Sequence, residues 1–323
     1  ILEENFREGK GASKKEDIKE SYINRILESI NLNKNLNISI DCGNGAAGVV
    51  AKEVYERLGC NVIELHGELN GSFPNHHPDP SKLENMEDLI KSVKENDSVV
   101  GLAFDGDADR LGVISPKGEM IFPDRQMIMF SRQVIQSSPN AKIVFDVKCS
   151  KLLSDEIEKL KGKPLICKTG HTFIKQKIRE TDALLGGEMS GHIFFNDRWP
   201  GFDDGIYAGA RMLEIIANSE EEDQFVSVPD MLSTPEINIP SADEEKFQIV
   251  KTFIENSKFK DAKIVSIDGI RVEFETGWGL LRASNTSPCL VLRFEAETND
   301  DLNKIKEIFY LGLKSIKPNI NKF

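Results

Sequence analysis

The sequence predicts an α/β protein: two similar α/β domains in tandem, with mixed or parallel sheets, followed by a C-terminal α+β domain. Three observations support this prediction. Strand and helix patterns alternate in two successive series, and polar loops follow the later strands of each series. The end of the chain instead carries a run of strands between two helices. The length of 323 residues also exceeds what one hydrophobic core usually supports.

The first series consists of apolar strand segments that alternate with amphipathic helical segments. We expect strands at 37–42, 61–65 and 98–104, and helices at 46–59 and 82–94. This order implies a parallel sheet, because parallel strands need a crossover connection. A first domain is therefore expected over residues 19–120.

The second series repeats this order and predicts a second domain over residues 121–231. Its strands are expected at 142–147 and 163–168, with an extended pair over 183–195, and its helices at 124–136, 150–161, 172–180 and 205–217. Two units of the same order and similar length are typical of a duplicated architecture.

The C-terminal part of the chain differs in type. A composition shift over 219–244, with "SEEEDQFVSVPD" and "IPSADEE", is typical of a linker. Beyond it we expect a helix at 244–256, strands within 263–297 and a helix at 299–316. The third domain is assigned to residues 232–323.

Composition narrows the classes of partner. The net charge of −12, from 41 basic and 53 acidic residues, argues against nucleic acid or an anionic membrane surface as a partner. No apolar run reaches the ~20 residues of a membrane span. The cysteines are odd in number and never form a C-x-x-C pair, which is typical of reduced thiols in a cytoplasmic protein. They are Cys42, Cys60, Cys149, Cys167 and Cys289.

The segment "FDGDADR" places Asp105, Asp107 and Asp109 at alternate positions where an apolar strand ends. At ~5 Å and an effective dielectric near 20, each like-charge pair repels by roughly 3 kcal/mol. A bound divalent cation would offset this repulsion, and a few carboxylates with open positions suit Mg²⁺. An acidic solvated turn, which needs no cation, is the simpler alternative.

Two other functions share the D-x-D spacing. A calcium-binding helix–loop–helix site is excluded, because its sixth and twelfth positions hold Arg110 and Pro116 instead of glycine and glutamate. A phosphatase would use Asp105 as nucleophile and Asp107 as acid. The β-like stretch "RLGVI" that follows argues against it but leaves it as an alternative.

The segment "GGEMSGH" has alternating polar residues. Glu188, Ser190 and His192 share one face of an extended segment, and the glycines allow close backbone approach to a ligand. A carboxylate, a hydroxyl and an imidazole on one face suit the vicinal hydroxyls of a sugar. A β-turn with incidental polar residues is the alternative.

The segment "RASNTSP" offers groups that suit a phosphate. Arg282 presents a planar fork, while Ser284, Asn285 and Thr286 add short donors and exposed backbone N–H groups. A polar hairpin turn is the alternative.

Strand ends and two further loops carry weaker signals. Lys148 and His171 follow predicted strands, where contact with a phosphate and a structural role are about equally expected. The histidines of "NGSFPNHHPDP" (70–80) are adjacent on a proline-bounded stretch, which favours a structural loop over a metal site. "GFDDG" (201–205) is expected to start the following helix with an acidic cap.

Taken together, the motifs resemble one family. "FDGDADR", "GEMSGH" and "RASNTSP" occur in the order found in the α-D-phosphohexomutases, and the likeness extends through "DCGNGAAG", "FPNHHPDP", "DVKCS" and "KTGH". Met189 before Ser190-Gly191-His192 is most similar to the bifunctional phosphomannomutase/phosphoglucomutase branch. The resemblance covers nearly the whole chain.

The resemblance implies a Mg²⁺-dependent enzyme that interconverts hexose 1-phosphate and hexose 6-phosphate of glucose or mannose. The route would run through a phosphoserine and a 1,6-bisphosphate, glucose 1,6-bisphosphate for glucose. Asp105, Asp107 and Asp109 would hold the metal, and Arg110 would lie beside the phosphoryl group.

The resemblance also assigns substrate contacts. Glu188 and Ser190 would bind the sugar 3- and 4-hydroxyls, and His192 would line the same site as a proton acceptor. The distal phosphate would bind to Arg282, Ser284, Asn285 and Thr286. Lys148 and His171 would contact the substrate or the bisphosphate.

One departure from the family concerns the serine. The family transfers phosphate through a serine in a T-x-S-H-N-P-like loop of its first domain, and no such string occurs here. Residues 1–18 resemble the tail of that domain, so we expect it to lie outside this chain and the chain to be inactive alone. A non-catalytic phosphosugar-binding protein is therefore an alternative. A monomer is the expected state of the full-length protein.

Overall fold

The first α/β domain is built on a five-stranded mixed sheet in the computed structural model, which describes residues 9–220 and 224–323. Its strands are β1 (Asn37–Asp41), β2 (Asn61–Leu65), β3 (Val100–Phe104), β4 (Leu111–Ile114) and β5 (Met120–Ile121). The order is β2-β1-β3-β4-β5, with the first three strands parallel and the last two antiparallel. All of β3 is buried, which explains its continuous apolar sequence.

Three helices belong to this domain: α1 (Lys19–Ser29), α2 (Ala51–Arg57) and α3 (Glu87–Glu95). Sequence patterns did not predict α1. The helix expected over 46–59 is also wrong at its start, where a 3₁₀ turn covers Ala46–Val49. A Cβ on Gly48 would lie 2.0 Å from the carbonyl oxygen of Gly67, so this turn is pressed against the neighbouring backbone.

The second α/β domain repeats the topology of the first. Its strands are β6 (Lys142–Asp146), β7 (Lys163–Cys167), β8 (Leu185–Gly187) and β9 (Ile193–Phe195), and its helices are α4 (Pro123–Ser137), α5 (Lys151–Lys159), α6 (His171–Thr181) and α7 (Gly205–Ala217). The order β7-β6-β8-β9 has three parallel strands and an antiparallel last strand, as β2-β1-β3-β4 does. The predicted duplication of an α/β unit is therefore confirmed.

The C-terminal domain has an antiparallel sheet covered by two helices. Its strands are β10 (Leu232–Ser233), β11 (Ile237–Pro240), β12 (Lys263–Val265), β13 (Ile270–Phe274), β14 (Gly277–Ala283) and β15 (Cys289–Ala296), and its helices are α8 (Asp243–Asn256) and α9 (Asn299–Ile316). The linker expected over 219–244 is wrong where β10 and β11 both pair with β15. Ile237 and Ile239 pack on the core of this domain, an alternation that the polar composition around them concealed.

Packing joins the three domains. The two α/β domains share one hydrophobic core, and the Tyr55 hydroxyl donates a hydrogen bond to the Ile206 carbonyl at 3.0 Å. The C-terminal domain has its own core but is attached through Arg271, whose guanidinium donates to the carbonyls of Val147 (2.8 Å) and Cys149 (2.5 Å). These contacts fix the strand-end loops of the three domains relative to one another.

Two sequence expectations fall partly outside the described residues: 1–8 of the predicted tail and 221–223 of the predicted linker. Among the residues that are described, none of the helices has the length and apolar character needed to cross a bilayer.

Candidate active site

The aspartate loop follows β3 directly. Asp105 is buried, Asp109 is half-buried and Asp107 is exposed, and Ala108 between the last two adopts a left-handed φ of 64°. One carboxylate oxygen from each aspartate lies within 4.8 Å of the others. The structure therefore brings the three predicted ligands together as an all-oxygen donor set.

Arg110 orients the first aspartate of this loop. Its Nε donates to Asp105 Oδ2 at 2.6 Å and its backbone N–H donates to Asp105 Oδ1 at 3.1 Å. Burial raises the pKa of Asp105 above its usual value, although Arg110 acts in the opposite direction. Arg110 Nη1 also contacts Asp79 Oδ1 at 3.3 Å. Sequence reasoning missed Asp79, because the contact spans 31 residues and leaves no spacing signal.

The aspartate loop and the "GGEMSGH" loop are joined by backbone pairing. Leu111 N donates to the Gly191 carbonyl at 3.1 Å, and Arg110 pairs with His192 in an antiparallel bridge. Gly191 has a φ of 101°, and a Cβ there would lie 3.1 Å from the Leu111 carbonyl, so glycine is required. Two loops from different domains thus form one continuous surface.

His192 lies between the acidic groups of these two loops. Its Nε2 is 3.2 Å from Asp109 Oδ1, and its Nδ1 is 2.8 Å from Ser190 Oγ and 3.3 Å from Glu188 Oε2. Burial lowers the pKa of His192, but the hydrogen bonds to Asp109 and Glu188 outweigh burial and raise the pKa to about 9. A pKa of about 9 favours the protonated imidazole at neutral pH, a form that donates hydrogen bonds. The expected role of His192 as a proton acceptor stays a prediction.

The loop after β7 approaches the same surface. Gly170 N donates to Glu188 Oε1 at 2.5 Å, and the His171 ring stacks on His192 with 5.6 Å between centroids. His171 Nδ1 is 3.2 Å from Asp203 Oδ2. Sequence reasoning missed Asp203, since "GFDDG" was assigned to the start of a helix. Its neighbour Asp204 is indeed the N-cap of α7 and accepts from Tyr207 N at 2.9 Å.

The predicted phosphate loop follows β14. Arg282 is 5% exposed and its Nε donates to Asp268 Oδ2 at 2.9 Å. The same oxygen accepts a hydrogen bond from Thr169 N at 3.0 Å, so Asp268 links this loop to the loop after β7. Asp268 carried no signal in the sequence.

The turn within this loop is shaped by Ser284. Its hydroxyl accepts from the backbone N–H groups of Thr286 (3.3 Å) and Ser287 (3.1 Å). Asn285 and Thr286 are exposed. Ser284 is buried and already bonded within the turn, whereas its two exposed neighbours can reach a ligand.

Lys148 lies at the end of β6 and is 7% exposed. Its Nζ is 2.6 Å from Glu236 Oε1 and 3.9 Å from Asp146 Oδ2. Burial lowers the pKa of Lys148, but Asp146 and Glu236 raise it by more, so the ammonium stays charged. Glu236 was missed because it lay in the expected linker. Asp146 also accepts from the Thr169 hydroxyl at 3.3 Å, which places Lys148 beside the loop after β7.

One chain of contacts therefore joins all three predicted loops. It passes along Asp109, His192, Glu188, Gly170, Thr169, Asp268 and Arg282. A carboxylate cluster, polar groups that suit sugar hydroxyls and an arginine that suits a phosphate are the features expected of an α/β enzyme that handles phosphorylated sugars.

Comparison with known proteins agrees with this class. Three domain models described as phosphoglucomutase/phosphomannomutase match in succession: α/β/α domain II over 20–118, α/β/α domain III over 122–230 and the C-terminal domain over 236–311. The chain belongs to the phosphoglucomutase/phosphomannomutase family. It is accordingly a phosphohexomutase, an intramolecular phosphotransferase, and the resemblance carried by the motifs is confirmed.

Individual relatives show how far the similarity extends. A phosphomannomutase/phosphoglucomutase from Pseudomonas syringae pv. tomato is 48% identical over 99% of this chain and 70% of its own length. A phosphoglucomutase from Neisseria gonorrhoeae is 47% identical over 94% of this chain and 67% of its own length. The crystal structure of a family protein from Burkholderia thailandensis superposes with a TM-score of 0.95 at 43% identity, covering 100% of this chain and 70% of that one.

Proposed function

We propose that the three loops bind one phosphohexose in a single orientation at a time, with the metal and the reacting phosphate at one end and the distal phosphate at the other. The observation that carries this proposal is the contact chain from Asp109 to Arg282 through His192 and Glu188. Substrates are the 1- and 6-phosphates of glucose and mannose.

The aspartate loop fits Mg²⁺. Its three donors are carboxylate oxygens, the ligands that this hard cation prefers, and their number leaves positions for water and a phosphate oxygen. When bound there, Mg²⁺ would supply positive charge to a phosphoryl group during transfer. Arg110, which Asp105 and Asp79 hold in place, adds a second positive charge on the same side.

The sugar is bound by the loop between β8 and β9. Glu188 accepts hydrogen bonds from hydroxyls, and its buried position makes these bonds count more than in water. Ser190 adds a neighbouring donor and acceptor. The protonated His192 donates to a hydroxyl or phosphate oxygen, while His171 and Lys148 contact the substrate or the bisphosphate.

The distal phosphate binds at Arg282, with the exposed residues Asn285 and Thr286 beside it and the hydroxyl of Ser284, which holds the turn in shape. Glucose 1,6-bisphosphate fits the same arrangement, because either of its phosphates can occupy this end while the other faces the aspartate loop. The T-x-S-H-N-P string does not occur in the 323 residues, and we propose that none of the serines described here carries the phosphoryl group.

Calorimetry with glucose 1-phosphate in the presence of Mg²⁺ tests this function. The unmodified chain should bind, and Glu188→Gln should weaken binding at least about tenfold, because a charged acceptor becomes a neutral one. The exposed Glu95→Gln is the matched control and should bind like the parent. Equal affinity of parent and Glu188→Gln would contradict the sugar-binding role.

The setting of the enzyme follows from its thiols and charge. All five cysteines are free, and four of them are buried, which suits the reducing cytoplasm. We propose a cytoplasmic enzyme without nucleic-acid or membrane partners. A monomer is the proposed state of the full-length protein, and sedimentation velocity would test it.

A further inference from the structure

A second cluster of metal-ligating groups lies on the first domain and shares no residue with the aspartate loop. It consists of Asp41 at the end of β1, His66 just after β2, and His76 in the loop 70–80. One donor atom of each lies within 4.8 Å of the others. We propose that Asp41, His66 and His76 form a site for a borderline divalent cation, Zn²⁺ in particular, separate from the Mg²⁺ ligands.

The hydrogen bonds of His76 leave one nitrogen for a cation. Its Nδ1 is 3.0 Å from the His77 carbonyl, which can only accept, so Nδ1 carries the proton. In the neutral ring Nε2 then presents a lone pair, and this atom is 2.9 Å from Asp41 Oδ2. Two lone pairs at that distance need a proton or a metal ion between them.

The other two ligands are prepared in the same way. His66 Nε2 faces Asp88 Oδ2 at 3.1 Å, and the tautomer that donates its proton there keeps a lone pair on Nδ1 for a metal. Asp41 Oδ1 accepts from Gly43 N–H at 2.8 Å, which leaves Oδ2. Metal-binding histidines commonly donate their second nitrogen to a carbonyl or a carboxylate, as His76 and His66 do here.

The distance between the Asp41 and His76 donors is close to that in a zinc site, and the His66 donor lies within 4.8 Å of both. Zn–N and Zn–O bonds of about 2.0 Å in tetrahedral geometry separate the donors by roughly 3.3 Å. The Asp41–His76 pair therefore has to open by only a few tenths of an ångström. His66 also has a left-handed φ of 50°, a conformation uncommon for residues other than glycine and enriched at functional positions.

The sequence favoured a structural loop over a metal site for 70–80, because adjacent histidines point in different directions, and the proposed site departs from that expectation by using only one of the two. His76 turns to Asp41 and His66, while His77 is exposed. The loop that carries His76 also carries Asp79, which contacts Arg110. A cation at the new site would therefore attach this loop to β1 and β2 and hold Asp79 beside the active site.

Calorimetric titration of Zn²⁺ into the purified chain, with excess Mg²⁺ present, tests the proposal. One Zn²⁺ per chain is expected. His76→Gln should weaken binding by more than about 100-fold, since loss of an outer partner alone costs 10–100-fold. His77→Gln is the matched control on the same loop and should bind like the parent.

If His76→Gln does not fold, Asp88→Asn takes its place in the test. Asp88 is exposed, so this substitution should not prevent folding. It should weaken Zn²⁺ binding by about 10–100-fold. The proposal is overturned if the parent binds no Zn²⁺, or if Asp88→Asn and a folded His76→Gln both bind like the parent. It is also overturned if His192→Ala alone abolishes binding, which would place Zn²⁺ at Asp109, His192 and Asp203 instead.

Discussion

Replacement of Arg282 by alanine tests the phosphate end of the site. The guanidinium is nearly buried and held by Asp268, so it is positioned before a ligand arrives. A charge-assisted hydrogen bond contributes about 1.5–3 kcal/mol, which corresponds to a loss of affinity of about 10- to 150-fold. Arg282→Ala should weaken the binding of glucose 6-phosphate by this factor, as measured by calorimetry in the presence of Mg²⁺.

Inorganic phosphate separates this effect from sugar binding. Arg282→Ala should also weaken the binding of inorganic phosphate, whereas Glu188→Gln should leave that affinity unchanged. Arg282→Lys keeps the charge but loses the planar fork, so an intermediate loss is expected. Thermal unfolding of each variant controls for misfolding. The reasoning is refuted if Arg282→Ala binds glucose 6-phosphate like the parent, or if both variants lose affinity equally for every ligand.

Three further predictions concern the metal, stability and turnover. Asp107→Asn removes one of three carboxylate ligands and should weaken the binding of Mg²⁺, measured by calorimetry, at least about tenfold. Unchanged affinity would exclude Asp107 as a ligand. Burial raises the pKa of Asp204 to about 6, so the unfolded chain loses this proton first as pH rises from about 4 to 6, and the free energy of unfolding should fall by about 3 kcal/mol. Asp204→Asn should lack this fall in denaturant titrations, and a parent–variant difference independent of pH would contradict the assignment. The 323-residue chain, given glucose 1-phosphate, Mg²⁺ and glucose 1,6-bisphosphate, should form no glucose 6-phosphate, because it lacks the serine motif; turnover on the order of 10 s⁻¹ would contradict this.

Regular elements with a strong apolar period were predictable from the sequence. The expected bounds of β2, α7 and α9 agree with the structure. Apolar residues recur at helical spacing along α7 and α9, and three of the five residues of β2 are apolar. In contrast, α1 was missed. Only Ile23 and Ile26 of this helix are fully buried, and its position depends on contacts such as that of the Tyr22 hydroxyl with Asp204.

The candidate site also has a part that was predictable from the sequence and a part that was not. Its three loops were predictable because each carries a dense polar motif at a strand end. The residues that orient them were not: Asp79, Asp203, Asp268 and Glu236 reach their partners across 14 to 88 residues of sequence. Such pairs form only when distant parts of the chain pack together, so the spacing of residues in the sequence does not reveal them.

A crystal structure of the chain with glucose 1-phosphate and Mg²⁺ tests the central claim most directly. The claim predicts one ligand that spans all three loops, with sugar hydroxyls within about 3.2 Å of Glu188 and Ser190. The metal should lie among Asp105, Asp107 and Asp109, and the phosphate should contact Arg282. A ligand bound to one loop only, or a metal outside the aspartate loop, would contradict the account.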